Sequence, residues 1–373
     1  MRFSKSLFIA FAGLGLFACS NEDVTNESGA EGNASVSVEI KLPKVITEGR
    51  SGNGIVAGNA TTGTTGTTTP LQVNNITVTL HAASGKQEDQ TLKESGTVTF
   101  QNVRNPQSIE VSVNGGTTEK LTIAGINTAG LAAPLYGTSN SFTKKGESTY
   151  QVSVTPAARY ARLELSNISH AKAESEQGCI FQTATIAGMF LDNLWVTEGS
   201  NAGKIAVSAD KSIWDNIKTE TYASPTWSAI GADFLGQNAT WPTGDNQCFA
   251  YSVFEPGTDM PKLVFVLDGT NLALKQGVSI MGWNAGEELY ASVGKYKYSG
   301  NLQDLTEEDK AKYGIDNLGY ITSFKAGNIY KISGIAIPDG AWGPTPEGGT
   351  DVTVEATVTV LPWTVVEGTV EWN

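Results

Sequence analysis

Nine consecutive residues, Ala34-Ser35-Val36-Ser37-Val38-Glu39-Ile40-Lys41-Leu42, alternate apolar and polar side chains without a fault. Successive side chains of an extended chain point to opposite faces. Ala34, Val36, Val38, Ile40 and Leu42 therefore share one face, and Ser35, Ser37, Glu39 and Lys41 the other. A helix would scatter the same five apolar residues around its axis. The segment reads as a half-buried strand of a sandwich. The period of two returns at residues 76–80, 98–103, 109–113 and 150–154. After Pro156 it restarts at 159–165, 179–186, 262–267, 329–337 and 352–360. Between the first two strands, residues 54–70 carry Thr-Thr-Gly-Thr-Thr-Gly-Thr-Thr-Thr, too small and polar for a core, which predicts a flexible surface connection. One short helix is predicted: Thr306-Glu307-Glu308-Asp309 opens it, Lys310 and Lys312 sit near its end, and Gly314 stops it. The expected fold is all-β, with few short helices and two β-sandwich domains meeting near 155–160, the second larger and richer in loops.

The amino-terminal end addresses the chain. Arg2 and Lys5 precede an uncharged, mostly apolar run, residues 7–17, that closes at Leu16-Phe17-Ala18-Cys19. This has the form of a secretory signal, and it is too short to remain as a spanning helix. Leu-x-Ala-Cys resembles a lipobox, in which the cysteine thiol is acylated and becomes the new amino terminus; the expected lipid site is Cys19. Ser20 beside it favours, by the same resemblance, sorting to the outer membrane. The acidic Asn21-Glu22-Asp23 is similar to the surface-export tags of Bacteroidota lipoproteins and also has the composition of a solvated tether. The formal charge is −13, and losing Arg2 and Lys5 with the signal takes it to −15. Such a surface repels nucleic acid and anionic lipid.

Chemistry is hard to find. No Gly-x-Ser-x-Gly elbow, His-Glu-x-x-His or phosphate loop is present. His81 and His170 are the only histidines, and neither Cys179 nor Cys248 has metal-ligand spacing. No catalytic residue, metal or cofactor is expected. Trp214, Trp227, Trp241, Trp283 and Trp342 lie in the second half, where aromatic side chains either stack on sugars or fill the core. Cys179 and Cys248 lie among aromatic and β-branched residues in an oxidising compartment. Two arrangements stay open: a disulfide, worth about 4 kcal/mol for a loop of this length in the chain-entropy model, or two buried thiols.

Four features, in order, resemble the fimbrillin family of Bacteroidota type V pili. They are the lipobox with its Ser-Asn-Glu-Asp tether; the strand Glu31-Gly32-Asn33-Ala34-Ser35-Val36-Ser37-Val38; Ala158-Arg159-Tyr160-Ala161-Arg162-Leu163-Glu164-Leu165; and a tail running from Asn328-Ile329-Tyr330-Lys331-Ile332 to Trp372-Asn373. Residues 170–330 carry no match. The resemblance implies two transthyretin-like sandwiches per subunit: a signal peptide at 1–18, a lipidated propeptide with the first strand at 19–50, an amino-terminal domain at 51–156, and a carboxy-terminal domain with a donor-strand tail at 157–373. It implies an outer-membrane lipoprotein precursor, cleaved by an arginine-specific protease and polymerised into an extracellular fimbrium that supports adhesion. Its partners would be other pilin subunits, anchor and tip proteins, and that protease. Arg50 is the first arginine after Cys19, so the cut is expected between Arg50 and Ser51, taking with it the edge strand of the first domain. The groove so vacated would accept a strand whose side chains also alternate. Val366, Val370 and Trp372 lie on one face of the tail, and Val352, Val354, Ala356, Val358 and Val360 alternate just before it. Burying four or five such side chains at about 1.5–3 kcal/mol each gives roughly 6–15 kcal/mol before ordering costs. Alternative readings are a monomeric surface lipoprotein that binds glycans, and an anchor or tip subunit of the same pilus.

Overall fold

The computed structural model describes residues 34–42, 58–59, 73–123, 125–126, 134–171, 179–200, 232–234, 247–255, 259–346 and 354–362. For 58–59, 232–234, 247–250, 333, 354–355 and 360–362 it describes the backbone alone. Strands dominate it. In the first half these are β1 (Ala34–Ile40), β2 (Ile76–Ala82), β3 (Gly96–Val103), β4 (Pro106–Val113), β5 (Leu135–Ser139), β6 (Thr143–Gly146) and β7 (Thr149–Val154). In the second they are β8 (Ala161–Ser166), β9 (Ile186–Asp192), β10 (Gln247–Val253), β11 (Lys262–Leu267), β12 (Leu289–Tyr298), β13 (Asn328–Ser333) and β14 (Val354–Pro362), with helix α1 (Glu307–Tyr313) between β12 and β13.

Two sheets make the first layer pair. One has the order β3-β1-β7-β6; the other runs from Gly85–Lys86 through β2 and β4 to β5, with Gln90–Leu92 also on β2. Their facing side chains form one core: Val36, Val38 and Ile40 with Val98, Phe100, Val152 and Val154 from the first sheet, and Ile76, Val78, Leu80, Ile109, Val111 and Val113 from the second. The alternation in β2 is complete, every second residue being buried, as a sheet with one wet face requires.

The second core lies within a nine-stranded path, Ala232–Phe234, β9, β11, β12, β14, β13, β8, β10 and Gly58–Asn59. Strand β12 belongs to both halves of that path. Its residues up to Val293 pair with β11 antiparallel, and those from Val293 on pair with β14 in parallel. The register shifts between Val293 and Lys295, at Gly294. Strand β9 is buried at every position, so it lacks the two-residue period; the run expected at 179–186 stops at its first residue and covers instead the short strand Phe181–Thr183. The expected run at 329–337 is likewise two strands, β13 and Ala336–Pro338, separated at Gly334 with its φ of 73°. Helix α1 starts and stops as its sequence prescribes. Thr306 and Asp309 exchange hydrogen bonds as a capping box, and Gly314 closes the helix in the left-handed conformation at φ 65°.

Three phenols are locked inside these cores. Tyr160, Tyr296 and Tyr330 are each pushed far above the ordinary tyrosine value, in every case mainly by burial. A group whose folded-state pKa is raised stabilises the fold below its unfolded value, near 10 for tyrosine, and that contribution is lost as pH rises beyond it. Stability should therefore hold up to about pH 10 and then fall, by up to about 1.4 kcal/mol per pH unit for each phenol. Urea unfolding at stepped pH checks this. Phenolate absorbance from these three should appear together with unfolding.

Candidate functional site

The alternating segment at 34–42 does not sit where the sequence reading places it. It was expected at a sheet edge. The structure has β1 inside its sheet, with β3 antiparallel on one side and β7 parallel on the other. Val38 stands opposite both Val98 and Val152, and Ile40 opposite Gly96 and Val154. The parallel ladder runs one residue past the start of β7 and one past the end of β1: Ser35 N–H donates to Ser148 O at 2.8 Å and Lys41 N–H to Val154 O at 3.0 Å. Leu42 N–H donates to the Ser95 hydroxyl at 3.3 Å.

Four of the five apolar residues, Val36, Val38, Ile40 and Leu42, lie in the first core. Val36, Val38 and Ile40 are at most 1 % exposed and Leu42 is 8 %; Ala34, at the start, is half-buried. On the outer face Glu39 is largely covered and lies 3.5 Å from Lys41. The interior position has a consequence the alternation cannot show. Among the described residues β3 has no sheet neighbour but β1. Taking β1 away would empty four side-chain pockets and strip the ladder from both β3 and β7. The walls of that slot, Val98, Phe100, Val152 and Val154, read in the sequence only as strand residues, because pairing partners leave no trace in a two-residue period.

The other expected site residues divide cleanly. Cys19, Arg50, Ser51, Val366, Val370 and Trp372 lie outside the described residues. The 352–360 run is largely β14, paired on both sides by β12 and β13 with Ala356 and Val358 buried, so it is an integral strand of its own sheet. Cys179 is a free, buried thiol that donates to Phe181 O at 3.2 Å. The disulfide arrangement is thus absent here; Cys248 sits in β10, opposite Gly58. Trp342 is in the second core and Trp283 packs against it, its indole N–H donating to Glu287 O at 2.8 Å. For these two the core-filling role is the observed one. Trp214, Trp227 and Trp241 lie outside the described residues.

Two polar clusters escaped the sequence reading. His170 Nε2 lies 2.5 Å from Asp339 Oδ1, and Asp339 Oδ2 accepts from Ile180 N–H at 2.6 Å. Phe181 and Trp342 meet the His170 ring edge-on at 5.4 and 6.2 Å. This pair fastens three chain segments together inside an aromatic shell, which is a structural arrangement. The second cluster joins the two cores. Arg159 grips both Glu198 oxygens, at 2.9 and 2.5 Å, and also donates to Thr117 O. Glu198 N–H donates to Leu121 O at 2.9 Å, and Ile123 N–H to Val196 O at 3.0 Å. No group of three or more metal-ligating side chains occurs among the described residues.

Asp339→Ala removes the acceptor of both His170 and Ile180 N–H. Breaking a buried pair from one side costs about 3–5 kcal/mol, and the urea midpoint should fall accordingly, while Lys86→Ala, on an exposed pair with Asp89, should change stability by less than about 1 kcal/mol.

No family model and no curated protein matches the sequence. Solved structures do match. The chain is similar to a fimbrilin (fimA) from Porphyromonas gingivalis W83, with a TM-score of 0.51 at 15% identity over 91% of this chain and 99% of that one. It is also similar to a candidate cell adhesion protein from Parabacteroides distasonis ATCC 8503, with a TM-score of 0.49 at 12% identity over 91% and 100% of the two chains. A third, a candidate cell adhesion protein from Bacteroides eggerthii DSM 20697, gives 0.48 at 14% identity over 90% and 98%. The chain thus has the fold of the fimbrilin, and its structural neighbours are candidate cell adhesion proteins and fimbrilins of Bacteroidota.

Proposed function

We propose that this chain is a structural, non-enzymatic subunit of a surface fimbria, polymerised by exchange of the strand β1. It is exported as an outer-membrane lipoprotein on Cys19. An arginine-specific protease cuts between Arg50 and Ser51, and the lipidated piece leaves with β1. A tail segment of a second copy, carrying Val366, Val370 and Trp372, then fills the slot, and repetition builds an extracellular filament that supports adhesion. The fold shared with the fimbrilin supports this reading.

The observation that carries it is the place of β1 in its sheet. A strand at an edge can be lost with one ladder exposed. An interior strand leaves two facing ladders and a row of four apolar pockets between them. Water satisfies the ladders but not the pockets, and only another extended segment with alternating apolar side chains satisfies both. An occupant running parallel to the departed strand meets β3 antiparallel and β7 parallel, the same two ladders as before. Strand addition of this kind gives head-to-tail growth, since donor and acceptor are different parts of one chain.

The experiment is assembly from purified precursor. Treatment with an arginine-specific protease should yield a product beginning at Ser51 and then a ladder of polymers. Arg50→Ala should give neither, and deletion of residues 364–373 should give the cut without the polymer. A synthetic peptide of residues 34–42, which has the side chains the slot was built for, should block growth when added after cleavage. In cells, labelled palmitate should enter the wild type and not Cys19→Ala. Polymer from the Arg50→Ala chain, or growth untouched by the peptide, would refute the mechanism.

A further inference from the structure

Arginine is rare in this chain: Arg2, Arg50, Arg104, Arg159 and Arg162 are the whole set, out of 25 lysines and arginines. Three of them lie in the described body, and each is placed so that an arginine-directed protease cannot use it. Such an enzyme needs the guanidinium free to enter its specificity pocket and several flanking residues extended along its cleft. Arg104 has an exposed side chain, but it occupies the two-residue turn between β3 and β4. Val103 before it is 1 % exposed and held in the core. Asn105 after it has a left-handed φ of 49°, and its carbonyl accepts from Ala83 N–H at 3.1 Å. The backbone around this bond cannot extend while the hairpin is intact. Arg159 fails on the other requirement: its guanidinium is held by both oxygens of Glu198 and by Thr117 O. Its neighbours Ala158 and Tyr160 are each 3 % exposed. Arg162 fails on both. It lies in β8, which is paired on both sides by β10 and β13, and its side chain is 4 % exposed with Nε 2.7 Å from Glu164 Oε1.

We infer that the fold itself restricts processing: every arginine of the folded body is withheld, so that an arginine-specific protease can remove the propeptide without destroying the subunit. The inference rests on the proposed function for its biological sense, but its physical content concerns the body alone. Apart from Arg104, exposed positive charge in the first half of the described residues is carried by lysine, as at Lys86, Lys93, Lys120, Lys144 and Lys145, where an arginine-specific enzyme has nothing to grip. A short turn, a bidentate carboxylate and a central strand are three unrelated devices with one outcome.

Hydrolysis adds water across the bond, leaving a carboxylate on the arginine and a new amino terminus on the next residue. Cuts are therefore read directly as chains beginning at Ser51, Asn105, Tyr160 or Leu163. The full precursor is incubated with an arginine-specific endoprotease, folded in buffer and unfolded in urea that the enzyme tolerates, and the amino termini are followed with time by mass spectrometry. In the unfolded chain all four should appear at comparable rates. In the folded chain those at Asn105, Tyr160 and Leu163 should form at least roughly 100-fold more slowly, because each waits on opening of the surrounding structure. Cleavage of any of the three in the folded chain at the unfolded rate overturns the inference. So does equal resistance in urea, which would put the protection in local sequence. An intact bond after Arg50 beside three protected body bonds supports this inference while refuting the processing step of the proposed function.

Discussion

The amino-terminal half depends on the backbone ladder between β1 and its two neighbours. Backbone N–H and C=O groups taken out of water must be paired. Among the described residues, strand β3 meets that requirement on its sheet through β1 alone, while Val98, Phe100 and Val103 tie it to the first core. Nine residues near the start of the chain thus complete a sheet whose other members come from 96–103 and 143–154. The same residues supply four of the side chains that fill the first core. A sandwich made in this way has its first sheet and first core completed by β1, and the strand exchange proposed above would draw on that dependence.

The joint between the cores complements this. The first core takes in Ala158, Tyr160, Phe254 and Ile329 from beyond the last strand of its own sheets. Arg159, Glu198 and the bridge of Thr122 with Thr197 fasten the remaining edges. Bidentate guanidinium–carboxylate pairing gives direction as well as attraction. The first core is therefore joined to the second by several independent contacts, none of which involves β1.

Much of this was legible in the sequence, for a physical reason. Strands with one wet face show a two-residue period, and β1, β2 and β7 announced themselves in that way. Helix α1 was legible because Thr306, Asp309 and Gly314 act locally. The period fails where both faces are buried, as in β9, or where a strand changes sheets, as β12 does at Gly294. Above all, it says which face of β1 is buried but not how many neighbours β1 has. The edge assignment failed there, since register and neighbours are set by residues more than fifty positions away. The Asp339–His170 pair was invisible for the same reason, its members being 169 residues apart.

In the proposed mechanism β1 is the shared, replaceable partner of β3 and β7. Amide hydrogen exchange, read by peptide in three states of the chain, tests it most directly: intact precursor, the chain freed of residues 1–50, and the polymer. Residues 96–103 and 149–154 should be strongly protected in the precursor, lose that protection in the freed chain and regain it in the polymer, while β9 and β11 stay protected throughout. Undiminished protection of 96–103 and 149–154 in the freed monomer would contradict it.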